Sequence, residues 1–450
     1  MYDLGIIGAG SAGYVAAELA GKAGMKVVLF DKRTLGGVCL NEGCIPTKTL
    51  LYSAKMYENA KFGEKYGILS KDVTYDFPAI MARKNKMIRK LVGGVGAKMK
   101  KANVELIMEE VKITGRKQDH LVLTSGDKEY SCKNILLASG AEAVVPPIKG
   151  LNKEKAITSR EILQIEEVPE SLNIIGAGVV GMEFASFFNS MGTKVTVFEM
   201  MDEILSGTDK EISSMFRKDM EKKGIVIHTS TTVTEISGKK VLFENKNGKS
   251  EIEAEKLLLS VGRKANSSGI GLEELGVELT KNGGVKIDER CRTNIPNIYA
   301  AGDITGFSQL AHTASREAIV AVNNMLRKPE RMRYNAVPSV VYSNPEIACV
   351  GMTQEEAEIK GIACKTLALP MAYAGRFIVE NEGKNGIAKI VVGEKYGEIL
   401  GVHMYGNPSS EIIYGAAMAI EMEMRVKDMQ EIIFPHPTVS EIFHEIVFEQ

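Results

Sequence analysis

Six cysteines in 450 residues are too few for a disulfide scaffold. In a reducing compartment each is by default a buried free thiol, so a pair with special spacing needs an explanation in redox chemistry or metal binding. Charge of one sign is not in excess either, since 56 Lys and Arg face 57 Asp and Glu. That balance offers no electrostatic footprint for nucleic acid or a membrane surface. No uninterrupted apolar run reaches the ~20 residues that a membrane-spanning helix needs. The strand-like Leu4-Gly5-Ile6-Ile7 follows Met1 so closely that a secretory leader has no room. These absences predict a cytoplasmic protein with neither nucleic acid nor membrane among its partners.

What is present is an internal repeat. Leu4, Ile6 and Ile7 lead into Gly8-Ala9-Gly10-Ser11-Ala12-Gly13, then a helix-period stretch over 14–23, then Val27-Val28-Leu29-Phe30 and the acid Asp31. The same order returns as Gly176-Ala177-Gly178-Val179-Val180-Gly181, a helix-period stretch over 182–191, Val195-Thr196-Val197-Phe198 and Glu199. Gly8 to Gly176 and Asp31 to Glu199 are each 168 positions apart. One G-x-G-x-x-G is a weak signal, but two copies with strand, helix and acid at matched spacing are a strong one. Glycine lets the backbone turn tightly and approach a pyrophosphate, whose charge then sits at the amino end of the helix. The acid accepts hydrogen bonds from a ribose hydroxyl. Two dinucleotide sites are therefore predicted.

Segments 134–140 and 256–262 read as return strands of parallel sheets, ending at Gly140 and Gly262, where backbone can approach a ligand. A third such end, Tyr299-Ala300-Ala301-Gly302-Asp303, follows the second unit and would complete the first, which makes the second an insertion. A polar connection from Pro146-Pro147 to about Ser171 suits a boundary. From about Tyr334 the pattern changes to strands near 340–342 and 386–392 and helices near 409–422 and 426–433, a separate α+β domain without a nucleotide motif. At 450 residues several domains are required, because one core stops growing at roughly 250–300.

After the first unit's second strand comes Gly36-Gly37-Val38-Cys39-Leu40-Asn41-Glu42-Gly43-Cys44-Ile45-Pro46-Thr47-Lys48. Two cysteines five positions apart can reach disulfide distance if a helix, with Pro46 near its start, begins close to the second. The amino end of that helix would favour a thiolate. Zinc needs two to four ligands in company, whereas Cys132, Cys291, Cys349 and Cys364 are scattered singly, so no metal is expected. Two core thiols by coincidence is the plain alternative, and the position directly after a dinucleotide unit argues against it. Near the other end, Phe434-Pro435-His436-Pro437-Thr438 sets a histidine between two prolines, either of which can follow a cis bond, with Glu441 five residues on. Alone, such a histidine is more often structural; held by a carboxylate, it is the usual group for taking a proton from a thiol.

The glycine fingerprint, the G-G-x-C-x-x-x-x-C loop, the second fingerprint, the Ala-Gly-Asp segment and the His-Pro-Thr end come in the order found in the pyridine nucleotide-disulfide oxidoreductase family. The chain resembles that family over essentially its whole length. The resemblance implies an α/β fold of two Rossmann-like dinucleotide-binding domains, the NAD domain inserted in the FAD domain, plus a C-terminal α+β dimerisation domain. The expected boundaries are 1–145 and 266–333 for the FAD and central parts, 146–265 for NAD, and 334–450 for dimerisation. FAD would touch Gly8, Gly10, Gly13, Asp31, Gly37, Lys48, Gly140 and Asp303, with Ala311 near the flavin. NAD would use Gly176, Gly178, Gly181, Glu183, Glu199, Gly262 and Arg263. Cys39 would exchange with substrate, Cys44 would lie against the flavin, and His436, oriented by Glu441, would act as acid and base from the other subunit of a homodimer. Lys48 and Glu183 match positions that the family pairs near flavin and nicotinamide.

Within the family, Glu199 would repel the extra phosphate of NADP, so NAD is expected. Residues 446–450 carry no thiol pair, and the second cysteine of the loop sets the chain apart from single-cysteine relatives. The resemblance thus points to the branch that oxidises dihydrolipoyl groups, with electrons passing from dithiol to the Cys39–Cys44 disulfide, to FAD and to NAD. The implied partner is a lipoyl-bearing protein, the acyltransferase of a 2-oxoacid complex or the glycine cleavage H protein. A glutathione reductase-like disulfide reductase is the alternative. Departures from the family pattern are Asp31 for the more usual Glu, Ser139 for Thr, and Val179 where an aromatic residue is common.

Overall fold

The computed structural model describes residues 1–117, 119–152 and 157–449, so part of the polar connection expected between 146 and 171 lies outside the described residues. The chain builds three units. In the first, strands Glu105–Ile107, Val27–Phe30, Tyr2–Ile7 and Lys128–Leu137 lie side by side in parallel. All four residues of Val27–Phe30 are buried, as in a strand covered on both faces. The long strand Lys128–Leu137 has two partners along its far edge. Its first half pairs antiparallel with His120–Ser125, and its second half pairs parallel with Ile298–Ala300, which returns after the second unit as the insertion requires.

Helix Ser11–Lys22 buries Ala12, Gly13, Ala16, Ala17 and Ala20, and helix Ala311–Met325 answers with Ala314, Ala318 and Ala321 in the same core. Small side chains on both faces let the two helices approach closely. The second unit repeats the parallel plan with strands Val226–His228, Lys194–Phe198, Ser171–Ile175 and Lys256–Leu259, plus an antiparallel trio over 232–253. The third unit is a five-stranded antiparallel sheet in the order Ser339–Val341, Ile347–Gly351, Ile399–Tyr405, Ile387–Gly393, Cys364–Pro370. Helices Ser409–Glu421 and Ile442–Phe448 bury Ile413, Ile420, Ile442 and Ile446 in its core.

The units do not pack as separate balls. One apolar core takes in Phe184, Phe187 and Phe188 of the second unit, Leu50 and Ala54 of helix Cys44–Lys61, and Val341, Ile347 and Tyr405 of the third. Burying each such ring contributes about 1.5–3 kcal/mol, enough in aggregate to fix the three units relative to one another. The buried Lys389–Asp209 pair at 2.6 Å and the Tyr405 hydroxyl donating to Asp219 at 2.7 Å set the register of that contact. The two crossings between first and second units, Ala141–Ala143 and Arg263–Ala265, pair as an antiparallel ribbon. Among the described residues no helix is long and apolar enough to cross a membrane.

Candidate active site

The two glycine turns are built alike. A Cβ on Gly13 would stand 1.8 Å from the Gly8 carbonyl oxygen, and one on Gly181 2.1 Å from that of Gly176, so the third glycine of each turn is required by packing of helix on strand. The middle glycines differ. Gly10 (φ −75°) and Gly178 (φ −72°) have ordinary extended backbone, and a Cβ there would meet only Gly37 Cα at 3.8 Å or nothing at all. Neither internal packing nor strain explains glycine at these two positions. No side chain caps helix Ser11–Lys22 or helix Val179–Ser190, so their first-turn amides are available to a pyrophosphate.

The acids repeat as well. Asp31 accepts from the N–H of Ala9 at 2.8 Å and of Arg33 at 2.8 Å; Glu199 accepts from Ala177 at 2.8 Å and Met201 at 2.9 Å. Each carboxylate thus ties its glycine turn to the loop beyond the second strand and keeps lone pairs for a ribose. Both helices start earlier than their apolar period predicts, at Ser11 and Val179, because the middle glycine is itself the N-cap.

Gly37, at φ +60°, carries the cysteine loop onto Gly10, where a Cβ would come within 2.6 Å of Gly10 Cα. Cys39 lies in the short helix Gly37–Asn41 and Cys44 is the first residue of helix Cys44–Lys61. The neighbouring Cys44 thiol, with burial beside it, makes Cys39 hold its proton firmly. Cys44 is lowered to about 7 because Cys39 donates to it, with further help from the Lys48 ammonium and against its burial. Cys44 is therefore the member of the pair that carries negative charge most readily.

Lys48, one turn further along the helix, reaches both carboxylate oxygens of Glu183 at 2.9 and 2.7 Å. Glu183 sits one turn into helix Val179–Ser190, so the pair bridges the helix after the cysteine loop and the helix after the second glycine turn. The backbone N–H of Tyr342, from the third unit, also donates to Glu183 at 3.0 Å. Asp303 follows the strand Ile298–Ala300; burial raises its carboxyl, and Arg263, 3.8 Å away, opposes that. Arg263 also donates to the Ala141 carbonyl, which places its side chain at the seam between the units, beside Asp303. Ala311 opens helix Ala311–Met325, and Gly140 and Gly262 take positive φ (+72° and +112°) at their strand ends.

His436 stands on the third unit, its side chain 82% exposed, with Nδ1 2.7 Å from Glu441. The bond preceding Pro437 is cis. Glu441 is held low by the Thr438 N–H at 2.8 Å and then by His436. Among the described residues the imidazole hydrogen bonds to Glu441 and to no residue of the cysteine loop. Sequence reasoning missed Arg160, which binds Glu42 of the cysteine loop at 2.7 Å and Glu142 of the ribbon at 2.9 Å, with Arg33 2.9 Å from Glu142. Its partners lie up to 118 positions away, so no local spacing announces it.

Residues 2–318 match the pyridine nucleotide-disulphide oxidoreductase family and residues 337–447 its dimerisation domain. A dihydrolipoyl dehydrogenase of Bacillus subtilis (strain 168) is 36% identical over 449 residues, covering 98% of this chain and 95% of that protein. A dihydrolipoyl dehydrogenase of Geobacillus stearothermophilus is 36% identical over 445 residues, covering 98% and 94%. Among solved structures, LpdA from Mycobacterium tuberculosis has a TM-score of 0.91 at 25% identity, covering 99% of this chain and 98% of that one. The HOCl-induced flavoprotein disulfide reductase RclA from Escherichia coli has a TM-score of 0.86 at 28% identity, covering 99% of each chain. Similarity that runs through both nucleotide units and on into the third leaves one conclusion, that the chain belongs to the pyridine nucleotide-disulphide oxidoreductase family and is an FAD-dependent, NAD-linked oxidoreductase.

Proposed function

We propose that this enzyme is a dihydrolipoamide dehydrogenase, oxidising protein-bound dihydrolipoyl groups to lipoyl groups in the cytoplasm and reducing NAD. The observation that carries this reading is the Cys39 and Cys44 thiol pair at a helix start, flanked by an ion pair that bridges that helix and the helix after the second glycine turn. One substrate thiolate attacks Cys39 Sγ, the Cys39–Cys44 bond breaks, and Cys44 leaves as a thiolate, favoured by the Lys48 ammonium facing it. The second substrate thiol then attacks the sulfur bonded to Cys39; the cyclic disulfide departs and Cys39 takes a proton. The substrate gives up two electrons and two protons, and the cysteine pair gains the two electrons. The partner subunit's His436, oriented by its carboxylate neighbour, takes the proton from the attacking thiol. Bound FAD supplies the step that carries the electron pair from the dithiol to NAD as hydride.

Gly8, Gly10, Gly13, Asp31, Gly37, Lys48, Gly140, Asp303 and Ala311 would hold FAD, and Gly176, Gly178, Gly181, Glu183, Glu199, Gly262 and Arg263 would serve NAD. Exposed Tyr414, Met418, Met422 and Ile433 on the third unit support a homodimer through that face. The proposed domain boundaries are 145, 265 and 333. The proposed partner is a lipoyl-bearing protein, the acyltransferase of a 2-oxoacid complex or the glycine cleavage H protein. The test is the steady-state rate of dihydrolipoamide oxidation with NAD and with NADP, alongside Cys39→Ser. A fast NAD-specific rate that the variant loses supports the reading. No such rate, with brisk NAD(P)H-driven reduction of another disulfide, keeps the family and replaces the substrate.

A further inference from the structure

We propose that Tyr342, supplied by the third unit, is a positioning residue for the redox pair, its ring holding Lys48 in the ion pair with Glu183 that faces Cys44. This rests on the dithiol reading above. Tyr342 follows the strand Ser339–Val341 and touches both members of the pair. Its N–H reaches Glu183 Oε1 at 3.0 Å, and its ring centroid lies 4.5 Å from Lys48 Nζ. Packing does not account for the side chain. Val341 enters the shared apolar core and Val340 packs on the third unit's core, while Tyr342 is 38% exposed as a residue and belongs to neither.

The physics runs from ring to sulfur in two steps. A cation over an aromatic face is attracted to it, more strongly where water is kept away. The ring also shields the ammonium, so that its charge is less screened and acts more strongly on Cys44. The groups facing Cys44 are Cys39 from the preceding loop, Lys48 on its own helix, Glu183 from the second unit and Tyr14 from helix Ser11–Lys22. Ser11 bonds to Cys39, and Glu346 and Glu411 face Tyr342 itself. Lys48 is the one cation in this set, so loosening it has nothing to compensate it. Because the backbone N–H contact survives substitution by Phe or Leu, these side-chain variants isolate the contribution of the ring.

The experiment uses the FAD-loaded enzyme reduced with one equivalent of dithiothreitol. The long-wavelength absorbance that a thiolate lends to an adjacent oxidised flavin is then followed against pH. Wild type should reach half its maximum near pH 7, as Cys44 is placed at about 7. Tyr342→Phe, which keeps the ring, should match it. Tyr342→Leu should move the midpoint up by about one pH unit, the shift a partly shielded cation–π contact supports. In a Lys48→Met background, Tyr342→Leu should add nothing. A Tyr342→Leu midpoint at the wild-type value overturns the proposal, as does a further shift in the Lys48→Met background or a Tyr342→Phe shift as large as that of Leu. Absence of the band from reduced wild type at every pH brings down the dithiol reading as well, which separates the two failures.

Discussion

Lys48 Nζ and the carboxylate of Glu183 form a two-pronged ion pair, 2.9 and 2.7 Å, between residues 135 positions apart in different nucleotide units. Glu183 is 3% exposed, and among the described residues Lys48 is the one cation within ion-pair distance of it. Lys48→Met therefore strands a buried carboxylate. The expected loss is about 3 kcal/mol of stability, at the low end for buried pairs because the Lys48 side chain keeps 32% of its surface. Denaturant unfolding measures it. The double variant Lys48→Met/Glu183→Leu should recover much of the loss, and a double variant no better than Lys48→Met would show that the pair is not coupled.

His436 and Glu441 make a second prediction. Replacing His436 with Gln should lower the kcat of dithiol oxidation by about 10²–10⁴-fold, the usual contribution of a placed acid-base group. NADH oxidation by an artificial dye, which bypasses the dithiol, should survive. Because the imidazole is exposed and hydrogen bonds to no residue of its own chain's cysteine loop, the site should be completed across a dimer. Co-expressed His436→Gln and Cys39→Ser chains should then regain dithiol oxidation as mixed dimers. Mixed dimers as inactive as either parent would show that the histidine does not act across the dimer.

Glu317 predicts a pH effect on stability. It is fully buried and accepts from the Gly302 N–H at 2.6 Å and the Tyr334 hydroxyl at 2.8 Å. Burial pushes its carboxyl up to about 7 from an ordinary 4.5, against the pull of those two bonds. The folded chain thus binds this proton more tightly than the unfolded one. Below pH 4.5 both states hold it and there is no penalty. Stability falls as pH rises from there to about 7 and then levels off, a total of roughly 3 kcal/mol. Glu317→Gln, which can still accept from Gly302, should flatten that stretch in melting curves taken between pH 5 and 8. Equal slopes in variant and wild type would reject the assignment.

The glycines of one turn should respond oppositely to the same small change. A methyl at Gly178 meets nothing in the fold, so Gly178→Ala should melt like wild type while its KM for NAD rises. A methyl at Gly181 meets the Gly176 carbonyl at 2.1 Å, so Gly181→Ala should lower the melting temperature itself. Calorimetry beside NAD titration separates the two, and a Gly178→Ala protein with unaltered NAD affinity would contradict a pyrophosphate at that glycine.

Much of this molecule could be read from the chain because its signals are local. Tyr2 to Asp31 and Ser171 to Glu199 each encode a strand, turn, helix and strand within about thirty residues, and Cys39 and Cys44 are five positions apart. The return of Ile298–Ala300 to the first sheet could be foreseen because its glycine end matched that of 134–140. Contacts assembled by tertiary packing could not. Tyr342 reads as one more residue of a strand near 340–342, Arg160 falls in the polar connection between units, and Glu317 gives no signal in the sequence. Each acquires its role from partners on segments that no periodicity connects, and the Lys48–Glu183 pairing itself came from family resemblance, not from spacing.

The ribbon of Ala141–Ala143 against Arg263–Ala265 carries an evolutionary consequence. The chain leaves the first unit and re-enters it on two strands that are hydrogen-bonded neighbours, Ala143 opposite Arg263. Doorway and exit are one. Everything between them can be exchanged for another nucleotide-binding cassette without moving the ends that the host must join. Such a cassette would still have to bring its own counterparts of Glu183 for Lys48 and of Arg160 for Glu42, since these two contacts fasten the inserted segment to the cysteine loop and its helix.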